Sequence, residues 1–205
     1  MKSIFRNILM TKRKAEPIFM VSGLPRCGTS MMMQMLEAGG MQVITDHIRQ
    51  ADEDNPHGYY EFEKVKKIKE DSSWLDGCHG KVFKMVSALL YYLPNSKKYK
   101  IVFMKRKMDE MLASQNTMLR RQGRNDAVVS DEEMAKKLDK HLLKVETWLA
   151  KQRNFKAIYI NYNSVIENAL ENAKNVALFL NLPMDIDKMV KVVESSLYRQ
   201  KTGNI

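Results

Sequence analysis

The sequence predicts an α/β protein, a three-layer sandwich in which a central parallel β-sheet is flanked by helices. Three observations carry that reading: short apolar runs without polar alternation, longer stretches of helical periodicity between them, and a glycine-bracketed turn where one run passes into an apolar helix. At 205 residues, the chain has the size of one ordinary domain and can bury a core without disulfides or metal.

The strand candidates are "PIFMV" (17–21), "KVFKMV" (81–86), "YKIVFM" (99–104) and "FKAIYI" (155–160), with "MQVI" (41–44) as a fifth. A strand buried on both faces has no need of polar alternation, and strands separated by helices pair in parallel. Two helices have clear limits. Ser130 with Glu133 makes a capping-box pattern, and Met134, Leu138, Leu142, Val145 and Leu149 then recur at steps of three to four, which predicts a helix over 131–152. Val165, Ala169, Leu170, Ala173, Val176, Ala177 and Leu180 mark another, ending before Pro183. "ADEDNPHG" (51–58), rich in turn formers, is the main loop, placed as an insertion over the sheet would be.

"FMVSGLPRCGTSMMMQML" (19–36) comes close to the phosphate-binding pattern G-x-x-x-x-G-K-[ST]: Gly23 and Gly28 bracket four residues, Ser30 closes the motif, and Thr29 stands where the lysine belongs. A strand running through such a turn into a helix gathers backbone N–H groups at one point and favours an anion there. Thr29 and Ser30 add hydroxyl donors, and Arg26 can supply the positive charge that the lysine would have given. The simpler reading is a glycine turn ahead of a core helix, with Arg26 in solvent.

"PRCGTS" (25–30) resembles the 5′-phosphosulfate loop P-[KR]-[SC]-G-T-[ST] of the sulfotransferases that use 3′-phosphoadenosine 5′-phosphosulfate (PAPS). Their 3′-phosphate site has an Arg at a strand's end and a Ser eight positions later on the following helix, a pattern to which "YKIVFMKRKMDEMLASQ" is similar through Arg106 and Ser114, with Lys107 and Met108 replacing the usual Asn-Pro. "KVFKMVSALLYYLP" (81–94) resembles the strand that ends in K-T-H-L-P, which aligns Lys84 with the lysine beside the transferring sulfonate and puts Val86 where cytosolic members keep a catalytic histidine. "IYINYNSVIENALENAKNVALFLNLP" (158–183) is similar to the segment that sets a tyrosine near adenine, here Tyr162, and "YRQKTG" (198–203) faintly resembles the basic segment over the 3′-phosphate, here Arg199 and Lys201.

The resemblance implies a P-loop NTPase-like sandwich, with residues 1–16 as a basic N-terminal segment or short helix and 17–205 as one sulfotransferase-like domain. It implies PAPS as donor and adenosine 3′,5′-bisphosphate (PAP) as product, with no metal. Gly23, Pro25, Arg26, Cys27, Gly28, Thr29, Ser30, Arg106, Ser114, Tyr162, Arg199 and Lys201 would hold the nucleotide, and Arg26, Lys84 and Asp46 would carry catalysis. Asp46 enters because one branch of the family uses an acidic base about twenty residues past the loop's basic residue. His47, His57, Glu61 and Glu63 are the other candidates, and a turn or helix cap is the structural reading of Asp46.

Alternatives of other classes are a kinase or nucleotide-triphosphatase variant of the loop, against which the missing lysine argues, and a non-catalytic protein that binds a nucleotide or polyanion. Lys and Arg outnumber Asp and Glu by 34 to 24, a formal charge of +10, which favours an anionic partner without choosing one. The basic residues are dispersed, so a nucleic acid is not expected. Cys27 and Cys78 are too few for a zinc or disulfide framework and suit a reducing, cytoplasmic setting. "MKSIFRNILMTKRK" lacks a signal-peptide cleavage pattern, and no run reaches a membrane span. The acceptor is left open among small molecules, carbohydrates, peptides and lipid head groups, as is the oligomeric state.

Overall fold

Four parallel strands form one sheet in the order β2-β1-β3-β4: β1 (Ile18–Gly23), β2 (Val82–Val86), β3 (Tyr99–Lys105) and β4 (Phe155–Asn161). The computed structural model describes residues 16–53, 55–124 and 129–194. Gly23 sits opposite Val86 on one side and Met104 on the other, and Lys105 opposite Asn161, so all four strands end along one edge. The chain passes from β1 to β2 on one side and then back across to β3 on the other. The reversal leaves a crevice at the carboxyl end of β1, the place where open α/β sheets bind ligands.

Every residue of β1 is buried, because alternate side chains enter two different cores. Phe19 and Val21 face α1 (Thr29–Ala38), α6 (Ala169–Leu180) and α7 (Ile186–Lys191), meeting Met32, Met33, Met35, Leu36, Val176 and Leu180. Ile18 and Met20 face the opposite layer, where Val145 and Leu149 of α4 (Asp131–Lys151) pack with Phe83, Leu90, Ile101 and Phe103. Two apolar layers on one strand explain the unbroken apolar run in the sequence. Trp74 and Phe155 extend the second core edge to face, with centroids 5.1 Å from Phe83 and 5.2 Å from Trp148 respectively.

The fifth strand expected at 41–44 is not a strand. Val43 makes one isolated parallel bridge to Val82, with the Val82 N–H donating to Gln42 O at 3.0 Å and the Ile44 N–H to Val82 O at 2.8 Å. The chain then turns off the edge, because Thr45 Oγ1 and the Asp46 N–H both donate to the Glu61 carbonyl, at 2.9 and 3.2 Å. This tether closes residues 46–60 into a loop over the end of β2. The helical pattern from Val165 also divides: α5 (Tyr162–Glu167) begins under an Asn161 cap, and Asn168 starts α6, its side chain accepting from Glu171 N at 3.2 Å. Asn181 in the left-handed conformation ends α6 before Pro183.

The long helix of the second layer is α4, and Ser130 Oγ accepts from the Glu133 N–H at 3.2 Å as its N-cap. α3 (Met108–Arg121) precedes it, and Asn116 Nδ2 on α3 donates to Asp131 of α4 at 2.9 Å. No helix among the described residues is long and apolar enough to cross a membrane. Removing the cap in Ser130→Ala leaves an orphan donor at the start of α4 and is expected to lower unfolding free energy by about 1 kcal/mol. Chemical denaturation measures it, and an unchanged midpoint at equal slope would show that the cap contributes nothing.

Candidate functional site

A cavity of about 420 Å³ opens at the carboxyl edge of the sheet. Its wall carries the basic side chains of Arg26, Arg49, Lys66, Lys84, Arg106 and Arg121, against the carboxylates of Glu61 and Glu194. So uneven a balance in a concave site attracts a strongly anionic ligand.

The floor is the turn from β1 into α1. Gly23 has φ +148°, and a Cβ there would lie 2.5 Å from Met104 O and from Cys27 Sγ. Gly28, the N-cap of α1, has φ +90°, and a Cβ would lie 2.4 Å from the Tyr162 ring. Both positions therefore need glycine for space as well as for conformation. Arg26 itself holds a positive φ of 68°, a sparsely populated conformation for a long side chain. Cys27 is turned inward: its Sγ donates to Leu24 O at 2.7 Å, and burial pushes the thiol up to about 12. Gly23, Pro25, Arg26, Gly28, Thr29 and Ser30 line the cavity.

At the β3 and β4 end, residues far apart in sequence meet. The Arg26 Nε–H donates to Ser114 Oγ at 3.1 Å, and Arg106 Nη1 donates to the Arg26 carbonyl at 3.2 Å. The Arg106 guanidinium lies over the Tyr162 ring, 4.5 Å from its centroid. Arg106, Ser114 and Tyr162 all line the cavity, so the eight-residue spacing and the loop belong to one site. Arg199 and Lys201 lie outside the described residues.

At the β2 end, Lys84 is largely buried. Its ammonium donates to the Tyr59 carbonyl and, at 3.4 Å, to Ser30 Oγ, which also receives Asn55 Nδ2 at 3.0 Å. Burial, then the neighbouring Arg49 and Arg26 cations, push Lys84 down to about 8 against the opposing pull of Glu61. Tyr59 anchors the loop. Its hydroxyl bonds both Asp52 oxygens at 2.7 Å, and the Arg49 guanidinium stacks 3.3 Å from its ring centroid.

The acidic candidates separate here. Asp46 does not line the cavity: Oδ2 accepts from the Glu63 N–H at 2.5 Å at the start of α2 (Glu63–Lys66), and Oδ1 from the Ile48 N–H at 3.1 Å. Burial works to raise the Asp46 carboxyl, and these backbone donors outweigh it and hold the group below its ordinary value. His57 faces Glu194 at 3.0 Å, and neither it, His47 nor Glu63 lines the wall. Glu61 does, paired with Arg49 at 2.8 Å and Lys66 at 3.4 Å. Asn55, Tyr59 and Arg49 were not singled out from the sequence. Asn55 lies in the turn-rich loop, which folds back over Ser30, and Arg49 and Tyr59 flank it.

The profile of the sulfotransferase domain family matches residues 16–204. Among solved structures, mouse sulfotransferase SULT7A1 complexed with PAP is similar at a TM-score of 0.56 and 15% identity, over 86% of this chain and 63% of that one, so the chain spans less than two thirds of that relative. The sulfotransferase domain from the curacin biosynthetic pathway is similar at 0.50 and 14% identity, over 89% and 79% of the two chains. That of the Synechococcus PCC 7002 olefin synthase is similar at 0.52 and 12%, over 90% and 80%. At these identities the likenesses show the fold. No curated protein sequence matches the chain.

The Lys84 environment has a pH signature. Between about pH 8 and the ordinary value of 10.5, the unfolded chain keeps a proton that the folded chain has shed, so folding stability rises with pH across that window. Relative to Lys84→Met, the chain with Lys84 should gain on the order of 2–3 kcal/mol from pH 8 to pH 10.5. A flat difference between the two denaturation series would mean that the amine stays charged in the fold.

Proposed function

Because the chain belongs to the sulfotransferase domain family, we propose that it transfers a sulfonate group from PAPS to a hydroxyl or amine acceptor. The observation that carries this reading is the convergence of Arg26, Ser114 and Arg106, which joins two anion-binding ends in one cavity. A nucleoside bisphosphate has its anions so arranged, one at each end of the ribose. A nucleoside diphosphate has both on one side.

In this reading the N–H groups of the Gly23–Gly28 turn, with Thr29 and Ser30, hold the 5′-phosphosulfate, and Arg106 and Ser114 hold the 3′-phosphate. Tyr162 shapes the floor under Arg106 and against Gly28, next to the base. The acceptor oxygen attacks sulfur, the bond from sulfur to the 5′-phosphate oxygen breaks, and PAP leaves. Charge grows on that phosphate oxygen. Arg26 and Lys84 are preorganised cations able to stabilise it, and a loop without the usual lysine is sufficient because the transferred SO₃ group carries less charge than a phosphoryl group.

The acceptor approaches from the β2 end, where Val86, Phe62 and Leu89 form an apolar wall beside Glu61. With valine at 86 and Asp46 bound to backbone donors, we assign the acceptor's proton to Glu61. Arg49 and Lys66 then hold its carboxylate in place.

Two measurements test this reading. Without Mg²⁺, PAP at a hundred times its dissociation constant should stabilise the fold by about 2.7 kcal/mol, seen as a melting shift that ADP at equal concentration does not match. Equal shifts would favour a nucleotide-triphosphatase type of site instead. Once an acceptor is in hand, Glu61→Gln should lower turnover about 10²–10⁴-fold with PAP affinity retained, while Asp46→Asn mainly weakens the loop. Loss of turnover confined to Asp46→Asn would return the role to Asp46.

A further inference from the structure

Arg106, on the cavity wall, is paired with Glu110, a buried carboxylate behind it to which the reaction assigns no part. Arg106 and Glu110 have side chains 7% and 1% exposed, with Arg106 Nε 3.4 Å from Glu110 Oε2. Burying two charges carries a desolvation penalty that their attraction often fails to recover, so stability alone is a weak account of such a pair. Asn163 Nδ2 donates to both Glu110 oxygens, at 2.9 and 3.2 Å. Lys107 Nζ, 4.0 Å from Oε1, adds a more distant cation, and the first turn of α3 is a favourable place for a negative charge.

The support comes from two elements at once. At the end of β4, Asn161 Oδ1 accepts from the Asn163 N–H at 2.8 Å, which fixes the start of α5. Tyr162 then turns its ring under the face of the Arg106 guanidinium, while the neighbouring Asn163 fixes the carboxylate at its Nε edge. Arg106 Nη1 reaches the Arg26 carbonyl at the tip. Face, edge and tip of one planar cation are each met by a different part of the fold.

We propose that Glu110 is a positioning residue, which holds the Arg106 guanidinium in the orientation needed for a 3′-phosphate before the nucleotide arrives. This rests on the reading of the cavity as a PAP and PAPS site. A negative charge beside Arg106 lowers its general attraction for anions, so the benefit of Glu110 is geometric: it removes rotamer freedom that binding would otherwise have to freeze. Its effect should therefore appear as selectivity for the 3′-phosphate and not as affinity for every anion.

The test compares PAP with adenosine 5′-monophosphate (AMP) by calorimetry on the full chain, at one salt concentration and without any acceptor. Glu110→Asp, which withdraws the carboxylate by one methylene, and Glu110→Ala should lower the PAP-to-AMP affinity ratio at least about tenfold, with AMP affinity changed less than about threefold. Glu110→Gln keeps a hydrogen-bond acceptor and should retain most of the ratio. In an Arg106→Ala background, Glu110→Asp should leave the ratio unchanged, because the effect runs through Arg106. If Glu110→Ala does not fold, the Asp and Gln variants decide. A lowered melting temperature with an unaltered ratio, or equal loss of PAP and AMP, would make Glu110 a structural tie between α3 and α5 and overturn the proposal. A wild-type chain that binds AMP as tightly as PAP would instead defeat the nucleotide reading on which it stands.

Discussion

The turn between Gly23 and Gly28 has no room for a side chain at either end, and the site is arranged around that crowding. Gly23 abuts the Met104 carbonyl on β3, and Gly28 abuts the ring of Tyr162 beyond β4. The loop is thus held by the end of β3 and by the residue that follows β4, as well as by its own hydrogen bonds. β1 is buried from end to end and cannot shift to relieve the contact. A rigid strand, a turn without slack and a helix that starts at once give backbone donors a fixed aim, which is what preorganised electrostatics requires.

Around this fixed point the cavity divides by strand order. β3 and β4 bring Arg106, Ser114 and Tyr162 to one side, while β2 and the returning loop bring Lys84, Tyr59 and Glu61 to the other. Ser30 belongs to the second group, through Asn55 and Lys84, and Arg26 to the first, through Ser114. The two halves consequently meet inside one six-residue motif. Lys84 adds a cation that its surroundings have made easy to deprotonate, a state reached by burial and by neighbouring arginines together.

The sequence made the sheet legible because strands apolar on both faces have few alternatives, and Phe19 and Ile18 can point oppositely only in a layered fold. Ser130 and Glu133 were legible for a local reason, since a capping box is complete within four residues. Arg106 and Ser114 were found through resemblance, and their spacing alone would not have joined them to Arg26. Other features depend on contacts that spacing does not encode. Residues 41–44 carry a strand's composition, yet Thr45 and Asp46 bond to Glu61 and draw the chain off the edge. Asp46 and Glu61 are both acidic residues in one loop, and only the folded chain separates the one bound to Glu63 N–H from the one facing the cavity. Glu110 was not singled out in the sequence, because its burial and its bond to Asn163 exist only in the folded chain.

The hydrogen bond from Arg106 to the Arg26 carbonyl has a thermodynamic meaning beyond the shape of the wall. It makes the backbone of the loop and the guanidinium across the cleft parts of one mechanical unit, with Ser114 as the third corner. Occupancy at either end then alters the freedom left at the other, and linkage requires the two influences to be equal in free energy. A molecule with a single anion can use only half of this unit. In the proposed reading the cleft is in effect a ruler, which rewards the separation between two charges more than either charge alone.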